Sequence, residues 1–401
     1  MLDRQKLAKD LYSKISQLFP DTSSENDLAR KTWNKISCDD SFAHRTESAQ
    51  SSFLVPTWDG NLTDRFSIKS VSGSYEVIAV DGSQIYPDRH VSGAGCFLLN
   101  TGGVQLSYSD RSCATFFSQP DVLLPEDVLE GIKDVSFSRD LVDLKREELE
   151  LATLAEKAEG VASRSSRVIC EANCIEGCEQ KTAPVALIDG SIIFWQLEGK
   201  PDAVKTFFLD RYLGSLQKLY ENNVLFAGYI SMSKSRELVS LIKLGLCRFL
   251  VADCIGCHRK HETFPCGQVD SLLDTSVTRF FLKKHERTTV FYSTSKIIES
   301  YPDHLKPAFV YLDVGSEVVR LEVPTWIAQD REKLDYLCSV AIDQSEKGRG
   351  YPVCLAEAHE QAVVKGGDRE FFYHLLQKIG LDQQKSIRLS QKAIKKRGIG
   401  I

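Results

Sequence analysis

Two aspartates follow short apolar runs, and a glycine and a serine follow each of them. Asp81 closes the run in "EVIAVDGS" (76–83), and Asp189 closes the run in "VALIDGS" (185–191). An aspartate at the C-terminal end of a buried strand lies at the edge of a sheet, where α/β folds bind ligands. One Asp-Gly-Ser alone is also a common turn. Its repetition after two matching runs predicts that both carboxylates meet at one edge of a sheet.

A pair of neighbouring carboxylates is typical of a metal site. Two close anions raise each other's pKa unless a cation lies between them, and carboxylate oxygens suit Mg²⁺ or Mn²⁺. A third carboxylate is available between the aspartates, in "REELE" (146–150). Glu147 and Glu150 lie one helical turn apart and can share a face, whereas Glu148 points elsewhere. Since helix surfaces are often rich in glutamate, the residues alone leave this choice open.

The strands that would position these aspartates begin with a closely spaced group. "EVIAVDGS" is predicted to be the first strand of the core. "GCFLLN" (95–100) and "VQLSYSD" (104–110) are predicted to be the next two, joined by a hairpin turn at "TGG" (101–103). Three successive strands predict an antiparallel meander.

A long helix and a second phase of alternating elements come next. Residues 138–160 have no internal glycine or proline and carry leucines at helical spacing. "VALIDGS" is then followed by a predicted helix (202–223), strand (224–230) and helix (235–246), an alternation that favours parallel strands covered by helices. The order predicts an α/β fold with a ribonuclease H-like mixed sheet, an antiparallel meander plus parallel strands, flanked by helices. Later elements are predicted as the strands "TTVFYS", "AFVYLDVGS" and "VVRLEVP" and as helices near 351–364 and 368–379.

Composition places the chain among soluble globular proteins. It has 401 residues, of which 42% are hydrophobic and 26% charged. Its apolar runs fall far short of the roughly 20 residues that cross a bilayer, and its start lacks the apolar stretch of a signal peptide. A cytoplasmic protein without a membrane partner is expected. Three regions are predicted: an N-terminal helical and irregular extension (1–70), the α/β domain (71–380) and a basic C-terminal tail (381–401).

The tail carries charge opposite to that of the rest of the chain. The formal net charge is −5, and "KSIRLSQKAIKKR" (385–397) holds six Lys and Arg and no acid, so the rest of the chain carries −11. An acidic body with a basic tail suits a protein that gathers cations in one site and docks on an anionic partner elsewhere. A merely solvated tail would have the same composition.

Twelve cysteines in a chain without a secretory signal indicate reduced thiols or a metal site rather than disulfides. Four of them form a C-x6-C-x2-C-x8-C pattern in a predicted Cys-rich insertion (247–270): Cys247, Cys254, Cys257 and Cys266. The pattern suits a structural zinc or an iron–sulfur cluster, and His258 or His261 could replace one thiol. Its spacing matches no standard zinc ribbon, and free cysteines also serve as small apolar residues. A second group, Cys170, Cys174 and Cys178, suggests no function.

Five stretches of this chain resemble the blocks of the NurA nuclease family, in the family's order, and together span roughly residues 75 to 380. In chain order they are "VDGS" (80–83), "IDGS" (188–191), "AGYISMSKSRELVSLIKL" (227–244), "VYLDVGSEVVRLEVPTWIA" (310–328) and "YPVCLAEAHEQAVVKGGDREFF" (351–372). Five such blocks in one order are hard to explain without a relationship to this family.

The resemblance implies a ribonuclease H-like nuclease that cleaves DNA with Mn²⁺ or Mg²⁺, as a 5′ to 3′ exonuclease and a single-strand endonuclease. It also implies a homodimer and a hexameric HerA-type ATPase as partner in DNA end processing or defence. By motif, the family's catalytic set is matched by Asp81, Glu150, Asp189, Tyr351 and His359. Glu147 remains possible in place of Glu150, because the register of the match is loose there.

Phosphodiester hydrolysis agrees with this set of residues. Two metals about 3.5 to 4 Å apart can acidify the attacking water, neutralise phosphoryl oxygens and stabilise the leaving oxygen. Asp81 would bridge them, while Glu150 and Asp189 would hold one each. His359 would bind the second metal or relay a proton, since imidazole titrates near neutral pH, and Tyr351 would position substrate. Outside the resemblance, a helical histidine or tyrosine is an ordinary packed or surface residue.

Basic residues are expected along the path of the nucleic acid. Lys234 and Arg236 precede or open a predicted helix, where backbone N–H groups and cationic side chains suit phosphate, and Arg369 is a further candidate. Basic residues at a helix start that are merely solvated would give the same sequence pattern.

Two other functions fit the same residues. One is a catalytically silent adaptor that uses this surface to bind DNA or the ATPase, although the intact set of acids and histidine argues against decay of the site. The other is a nuclease that acts on RNA or on a DNA–RNA hybrid, since one fold can serve both.

Overall fold

The computed structural model describes residues 2–87, 91–92, 95–130, 135–171, 183–249, 251–254, 256–257, 264–384 and 388–389. For residues 91–92, 162–171 and 388–389 it describes the backbone alone. Among the helices of these ranges, none is both long and apolar enough to cross a membrane.

The described strands, in chain order, are β1 (Thr57–Trp58), β2 (Arg65–Ser67), β3 (Tyr75–Ile85), β4 (Val91–Ser92), β5 (Phe97–Tyr108), β6 (Cys113–Leu123), β7 (Val185–Asp189), β8 (Leu225–Ile230), β9 (Glu286–Thr288), β10 (Phe291–Tyr292), β11 (Pro307–Asp313), β12 (Val318–Pro324) and β13 (Arg388–Leu389). The described α-helices are α1 (Arg4–Ser13), α2 (Ile15–Leu18), α3 (Ser23–Ser37), α4 (Phe42–Glu47), α5 (Pro125–Leu129), α6 (Arg139–Glu171), α7 (Asp202–Glu221), α8 (Glu237–Leu246), α9 (Asp274–Thr278), α10 (Thr325–Ala328), α11 (Arg331–Lys347), α12 (Val353–Ala362) and α13 (Gly366–Asp382).

One mixed sheet carries most of the strands, in the order β1-β10-β11-β12-β8-β7-β3-β5-β6. β3, β5 and β6 are antiparallel neighbours, whereas β7 and β8 run parallel to β3. On the far side of β8, the strands β12, β11 and β10 are again antiparallel. The predicted α/β fold, a meander followed by parallel strands and flanked by helices, is therefore confirmed.

The strands of the meander differ from the predicted ones. β5 runs without a break through Gly102 and Gly103, so the hairpin turn predicted there is wrong, and the third strand is β6 instead. Close packing, rather than a turn, explains a glycine at this point of the strand. A Cβ atom on Gly102 would lie 2.2 Å from the backbone nitrogen of Ala362, because α12 packs directly on this point of the sheet.

The first strand also continues past the residue at which it was predicted to end. β3 pairs with β5 along its whole length but with β7 only from Val77 to Ala79. Asp81 therefore lies inside a strand, at the point where the pairing with β7 has stopped. The carboxylate still reaches the open edge between two strands, as the prediction required.

Helices cover both faces of the sheet, and alternate residues of β3 face different layers. Ile78 and Val80 pack in one apolar cluster with residues of α6 and α7. Val77 and Ala79 pack in a second cluster with residues of α11 and α12. The odd-numbered side chains of β3, Asp81 among them, thus point toward α11 and α12.

The N-terminal residues contribute to the same sheet. β1 pairs with β10, β2 pairs with β9, and α3 packs against α8. α1 buries no residue. The domain boundary at residue 70 stays a prediction.

Candidate metal centre

Asp81 and Asp189 lie at the same level of two neighbouring strands. β3 and β7 pair with Val77 opposite Val185, and each aspartate comes four residues after its member of that pair. Asp189 is the last residue of β7, and Gly190, with φ of 129°, turns the chain away. Only a residue without a side chain adopts this backbone conformation readily.

Asp81 connects the sheet to α12. Its Oδ1 accepts a hydrogen bond from the Gly82 N–H at 2.8 Å. Its Oδ2 lies 2.8 Å from Nδ1 of His359, whose side chain is 63% exposed. The histidine therefore meets the first carboxylate from the side of α12 and leaves most of its ring open to a substrate.

Glu150 approaches the same strand from the other face, on α6. A Cβ atom on Gly82 would lie 2.3 Å from Glu150 Oε1, so the glycine makes room for this carboxylate. Arg146 Nη1 forms an ion pair with the same oxygen at 2.8 Å. Burial raises the pKa of Glu150 to about 7; Arg146 opposes this shift, and the charges of Asp81 and Asp189 add to it.

Glu147 lies beside Glu150 but has different neighbours. Gln196 Nε2 donates a hydrogen bond to its Oε2 at 2.6 Å. Burial raises the pKa of Glu147 to about 8, and the charge of Glu150 adds to the shift. Glu148 is buried in an ion pair with Lys145. Glu150 is therefore the member of "REELE" that senses both aspartates.

Asp189 completes the group of carboxylates. Desolvation raises its pKa, the hydrogen bond from the Tyr351 hydroxyl opposes that shift, and Asp81 adds to it. Burial and the nearby Asp189 charge in turn raise the pKa of Tyr351, which keeps this phenol protonated. The tyrosine thus donates to the second aspartate while the histidine faces the first.

α12, which carries His359 and follows Tyr351, is held at both ends. Near its start, the buried Gln344 side chain accepts a hydrogen bond from the Cys354 N–H at 3.2 Å. At its end, the Ser83 hydroxyl and the Asn100 amide donate to the Ala362 carbonyl at 2.5 and 2.7 Å. These contacts fix the helix against β3 and β5, and with it the position of the imidazole.

The donor set fits a hard divalent cation in its chemistry. Three carboxylates from β3, α6 and β7 gather at one edge, and the pKa values of two of them are raised partly by the charge of the others. Oxygen donors of this kind suit Mn²⁺ or Mg²⁺. In the described part of the chain, no three acidic, histidine or cysteine side chains already stand in a metal-holding arrangement. Side chains such as Glu150, now paired with Arg146, would have to turn toward an ion.

The predicted nucleic-acid residues lie on two separate segments. Lys234 and Arg236 are exposed in the segment after β8, which leaves the sheet at the same edge as Asp189 because β7 and β8 are parallel. Arg236 donates to the Asp270 carbonyl. Arg369 is exposed on α13, with its guanidinium 5.8 Å from the centre of the Tyr373 ring.

The four cysteines of the predicted insertion are free thiols near one another. Cys247 follows α8, and Cys254 donates its N–H to the Gln50 carbonyl at 2.9 Å. Burial raises the pKa of Cys254 most, and the neighbouring Cys247 and Cys266 thiols raise it further. A bound zinc or iron–sulfur cluster stays a prediction. Cys174, Cys178, His258 and His261 lie outside the described residues, and only the backbone of Cys170 is described.

Several residues of the site had no recognisable signal in the sequence. Arg146 stands in the quoted "REELE" as an ordinary helix cation. Ser83 follows the first Asp-Gly and was part of the repeated phrase, yet its partner is a helix 279 residues later. Asn100 lies inside β5, where its amide oxygen accepts from the Ser118 hydroxyl of β6 and its NH₂ group donates to the end of α12.

Comparison with known proteins adds two similarities. The sequence model of the NurA domain matches residues 75–364 of this chain. The chain is also similar to a solved structure, the crystal structure of the NurA nuclease from Sulfolobus solfataricus. The identity is 16%, the match covers 96% of this chain and 98% of that chain, and the TM-score is 0.47. The comparison with curated proteins gives no match.

Proposed function

Because this chain belongs to the NurA family, we propose that it is a metal-dependent DNA nuclease that hydrolyses phosphodiester bonds. The observation that carries the proposal is the meeting of Asp81, Glu150 and Asp189 at one edge of the sheet. The charges of Asp81 and Asp189 add to the raised pKa of Glu150, and the charge of Asp81 adds to that of Asp189. Family membership supports a nuclease, and the carboxylate group supports the use of a divalent ion.

Each residue of the site has a role in this proposal. Asp81, Glu150 and Asp189 would hold the divalent ions. Bound Mn²⁺ or Mg²⁺ would neutralise phosphoryl oxygens and acidify the attacking water. The Tyr351 hydroxyl donates a hydrogen bond that orients Asp189, and Arg146 orients Glu150 through an ion pair.

The contact of His359 with Asp81 is compatible with two roles for the imidazole. Its Nδ1 faces the carboxylate, so Nε2 is the ring nitrogen that can meet a second ion or give a proton to the leaving oxygen. The exposed position of the ring suits contact with substrate. Lys234, Arg236 and Arg369 would contact the phosphate backbone, which positions a nucleic acid without reading its sequence.

The finer parts of the proposal follow from the family. They are 5′ to 3′ exonuclease and single-strand endonuclease activity, a homodimer, and a HerA-type hexameric ATPase as partner in DNA end processing or defence. A cytoplasmic location agrees with them.

Cleavage of end-labelled single- and double-stranded DNA with Mn²⁺, Mg²⁺ or EDTA tests the proposal. We expect metal-dependent cleavage that Asp81→Ala and Asp189→Ala abolish, a larger loss than the roughly 10–100-fold typical of residues behind the ligands. Asp303→Ala is the matched control. This aspartate is exposed and precedes β11, whose start lies at the edge of the sheet opposite Asp189.

The outcomes separate the proposal from its rivals. Equal cleavage by parent, Asp81→Ala and Asp189→Ala would reveal a contaminating nuclease. An absence of cleavage even with a HerA-type ATPase added would favour the silent adaptor. A clear preference for RNA or for a hybrid with matched ends would move the substrate class and leave the metal site in place.

A further inference from the structure

The backbone that follows Asp189 rests on a buried glutamate from another strand. Glu322 of β12 accepts two hydrogen bonds with one carboxylate oxygen, Oε2. The Ser191 hydroxyl donates to it at 2.5 Å and the Ile192 N–H at 3.0 Å. The Gly190 N–H donates to the Tyr229 carbonyl at 3.0 Å. The residues directly after the metal-binding aspartate are thus fixed at three consecutive positions.

Ser191 links Glu322 to two further residues of the turn. Its oxygen accepts hydrogen bonds from the Ile193 N–H and the Trp195 indole N–H, both at 3.0 Å, while its hydrogen goes to Glu322. On the neighbouring strand β8, a Cβ atom on Gly228 would lie 2.3 Å from the Gly190 carbonyl oxygen, so the turn packs directly against β8. A small shift of this turn would move the end of β7 and the Asp189 carboxylate with it.

A buried cation, Arg320, holds the Glu322 side chain in place. Glu322 is 2% exposed, and its second oxygen, Oε1, accepts a hydrogen bond from Arg320 Nε at 2.8 Å. Arg320, 1% exposed, also forms an ion pair with Glu237 at 2.7 Å. Burying three charges carries a desolvation cost that well-packed apolar residues avoid, so stability alone does not explain the arrangement. The cost makes sense where a charge has to hold a specific backbone geometry.

We propose that Glu322, held by Arg320, is a positioning residue that keeps the turn after Asp189 in place and thereby fixes the Asp189 carboxylate for metal binding. The inference rests on the proposed metal-dependent function. It concerns a residue that touches neither substrate nor ion and acts through Ser191 and Ile192. Partners behind metal ligands generally set ligand orientation, and their loss costs about 10–100-fold in metal affinity.

Glu322→Gln is the sharpest substitution, because it keeps size and removes one acceptor. Three donors bind the Glu322 carboxylate: the Ser191 hydroxyl, the Ile192 N–H and Arg320 Nε. A glutamine has a single acceptor oxygen, so its NH₂ group must face either the turn or the guanidinium, and one contact becomes donor against donor. We expect the apparent affinity for Mn²⁺, measured by the electron paramagnetic resonance signal of free Mn²⁺, to fall by about 10-fold or more.

The dependence of kcat on Mn²⁺ concentration distinguishes a positioning role of Glu322 from a general loss of folded protein. If Glu322 orients Asp189, cleavage by Glu322→Gln should recover toward the parental kcat at high Mn²⁺, with the KM for DNA unchanged. A loss of correctly folded protein would instead lower kcat at every Mn²⁺ concentration and leave the affinity for Mn²⁺ as it was.

Glu286→Gln is the matched control. Glu286 of β9 is also a buried carboxylate; it accepts a hydrogen bond from the Lys283 N–H at 2.9 Å and lies 3.8 Å from Arg65 Nε. These partners lie in β2 and just before β9 rather than in the turn after Asp189 or beside Arg320. We expect this variant to lose thermal stability and keep the parental affinity for Mn²⁺.

Ser191→Ala keeps the inference testable should Glu322→Gln fail to fold. It removes the hydroxyl contact and leaves the buried ion pairs intact, so a smaller fall in Mn²⁺ affinity is expected. Parental affinity in the folded variants would overturn the positioning role, and so would a parent that binds no Mn²⁺. A parent that binds Mn²⁺ but cleaves no nucleic acid would defeat only the proposed nuclease, since the affinity series would still report on Glu322.

Discussion

At the scale of single residues, the site concentrates negative charge that water screens poorly. Glu147 and Glu150 lie one turn apart on α6, and burial raises the pKa of each, to about 8 and about 7. Each also feels other carboxylates, and Arg146 is the cation that opposes the shift in both. An enzyme that binds a divalent ion here would replace those protons with the ion, so metal affinity and pH are coupled.

The raised pKa values predict how stability changes with pH. A carboxyl whose pKa is higher in the folded protein than its usual 4.5 stabilises the fold below pH 4.5, and this contribution is lost as pH rises through about 8 for Glu147. With EDTA present, Glu147→Gln should therefore raise the melting temperature relative to the parent at pH 9 and change it little at pH 5. Scanning fluorimetry from pH 5 to pH 9 measures this difference.

Two further samples complete that experiment. Glu156→Gln changes an exposed glutamate of the same helix and should follow the parent at every pH. Mn²⁺ should stabilise the parent more at pH 8.5 than at pH 5.5, because fewer protons compete for the carboxylates. Parallel curves for Glu147→Gln and the parent would mean that Glu147 titrates normally.

Charged residues of the site that stand in a repeated local pattern could be predicted from the sequence. Those whose partners are distant along the chain could not. Asp81 and Asp189 were recognisable because the same phrase follows two apolar strands. Glu322 was not, although it stands in a quoted block, because its contact with Ser191 joins residues 131 positions apart. Arg320 reads as one charged residue in an apolar strand, and only the sheet reveals its buried partners.

At the scale of elements, the prediction of topology was better than the prediction of boundaries. The strand after the long helix does pair in parallel with the first strand, as the alternation of strand and helix required. The meander was right in kind, but Gly102 and Gly103 were misread as a turn. Glycines signal a turn and a close backbone contact equally well, and sequence alone does not distinguish them.

Gly102 gives a direct test of how α12 is seated. Gly102→Ala would bring a Cβ atom to 2.2 Å from the Ala362 backbone nitrogen, so the helix must move. We expect a loss of about 1–3 kcal/mol in the free energy of unfolding. We also expect weaker cleavage, since His359 is carried by the same helix. Urea unfolding and the DNA cleavage assay measure the two effects.

Gly214→Ala is the matched control for that substitution. This glycine is exposed in α7 and a Cβ atom there would meet nothing within 4 Å. The change should stabilise the protein by about 0.5–1 kcal/mol, because alanine favours a helix interior over glycine. If Gly102→Ala were as stable and active as the parent, α12 would not be seated on β5 as described.

At the scale of the whole molecule, the charges of the chain are divided between its body and its tail. The part outside 385–397 carries −11 and contains the carboxylate site, whereas the tail carries six positive charges. An acidic body attracts metal ions but repels the phosphate backbone of DNA. A substrate with the charge of DNA therefore needs a positive surface to reach the site, and the tail is the densest source of positive charge in the sequence.

This division predicts that the tail contributes much of the salt dependence of DNA binding. Each phosphate contact releases counterions, so removing residues 385–401 should weaken binding to duplex DNA and reduce the slope of log affinity against log salt by up to about 5. Fluorescence anisotropy at several salt concentrations measures the slope. A variant with the six Lys and Arg changed to Gln keeps the length of the chain and should behave like the deletion. An unchanged slope in both would show that the tail does not contact DNA, and an acidic face of the proposed ATPase would then be the first alternative partner to test against a merely solvated tail.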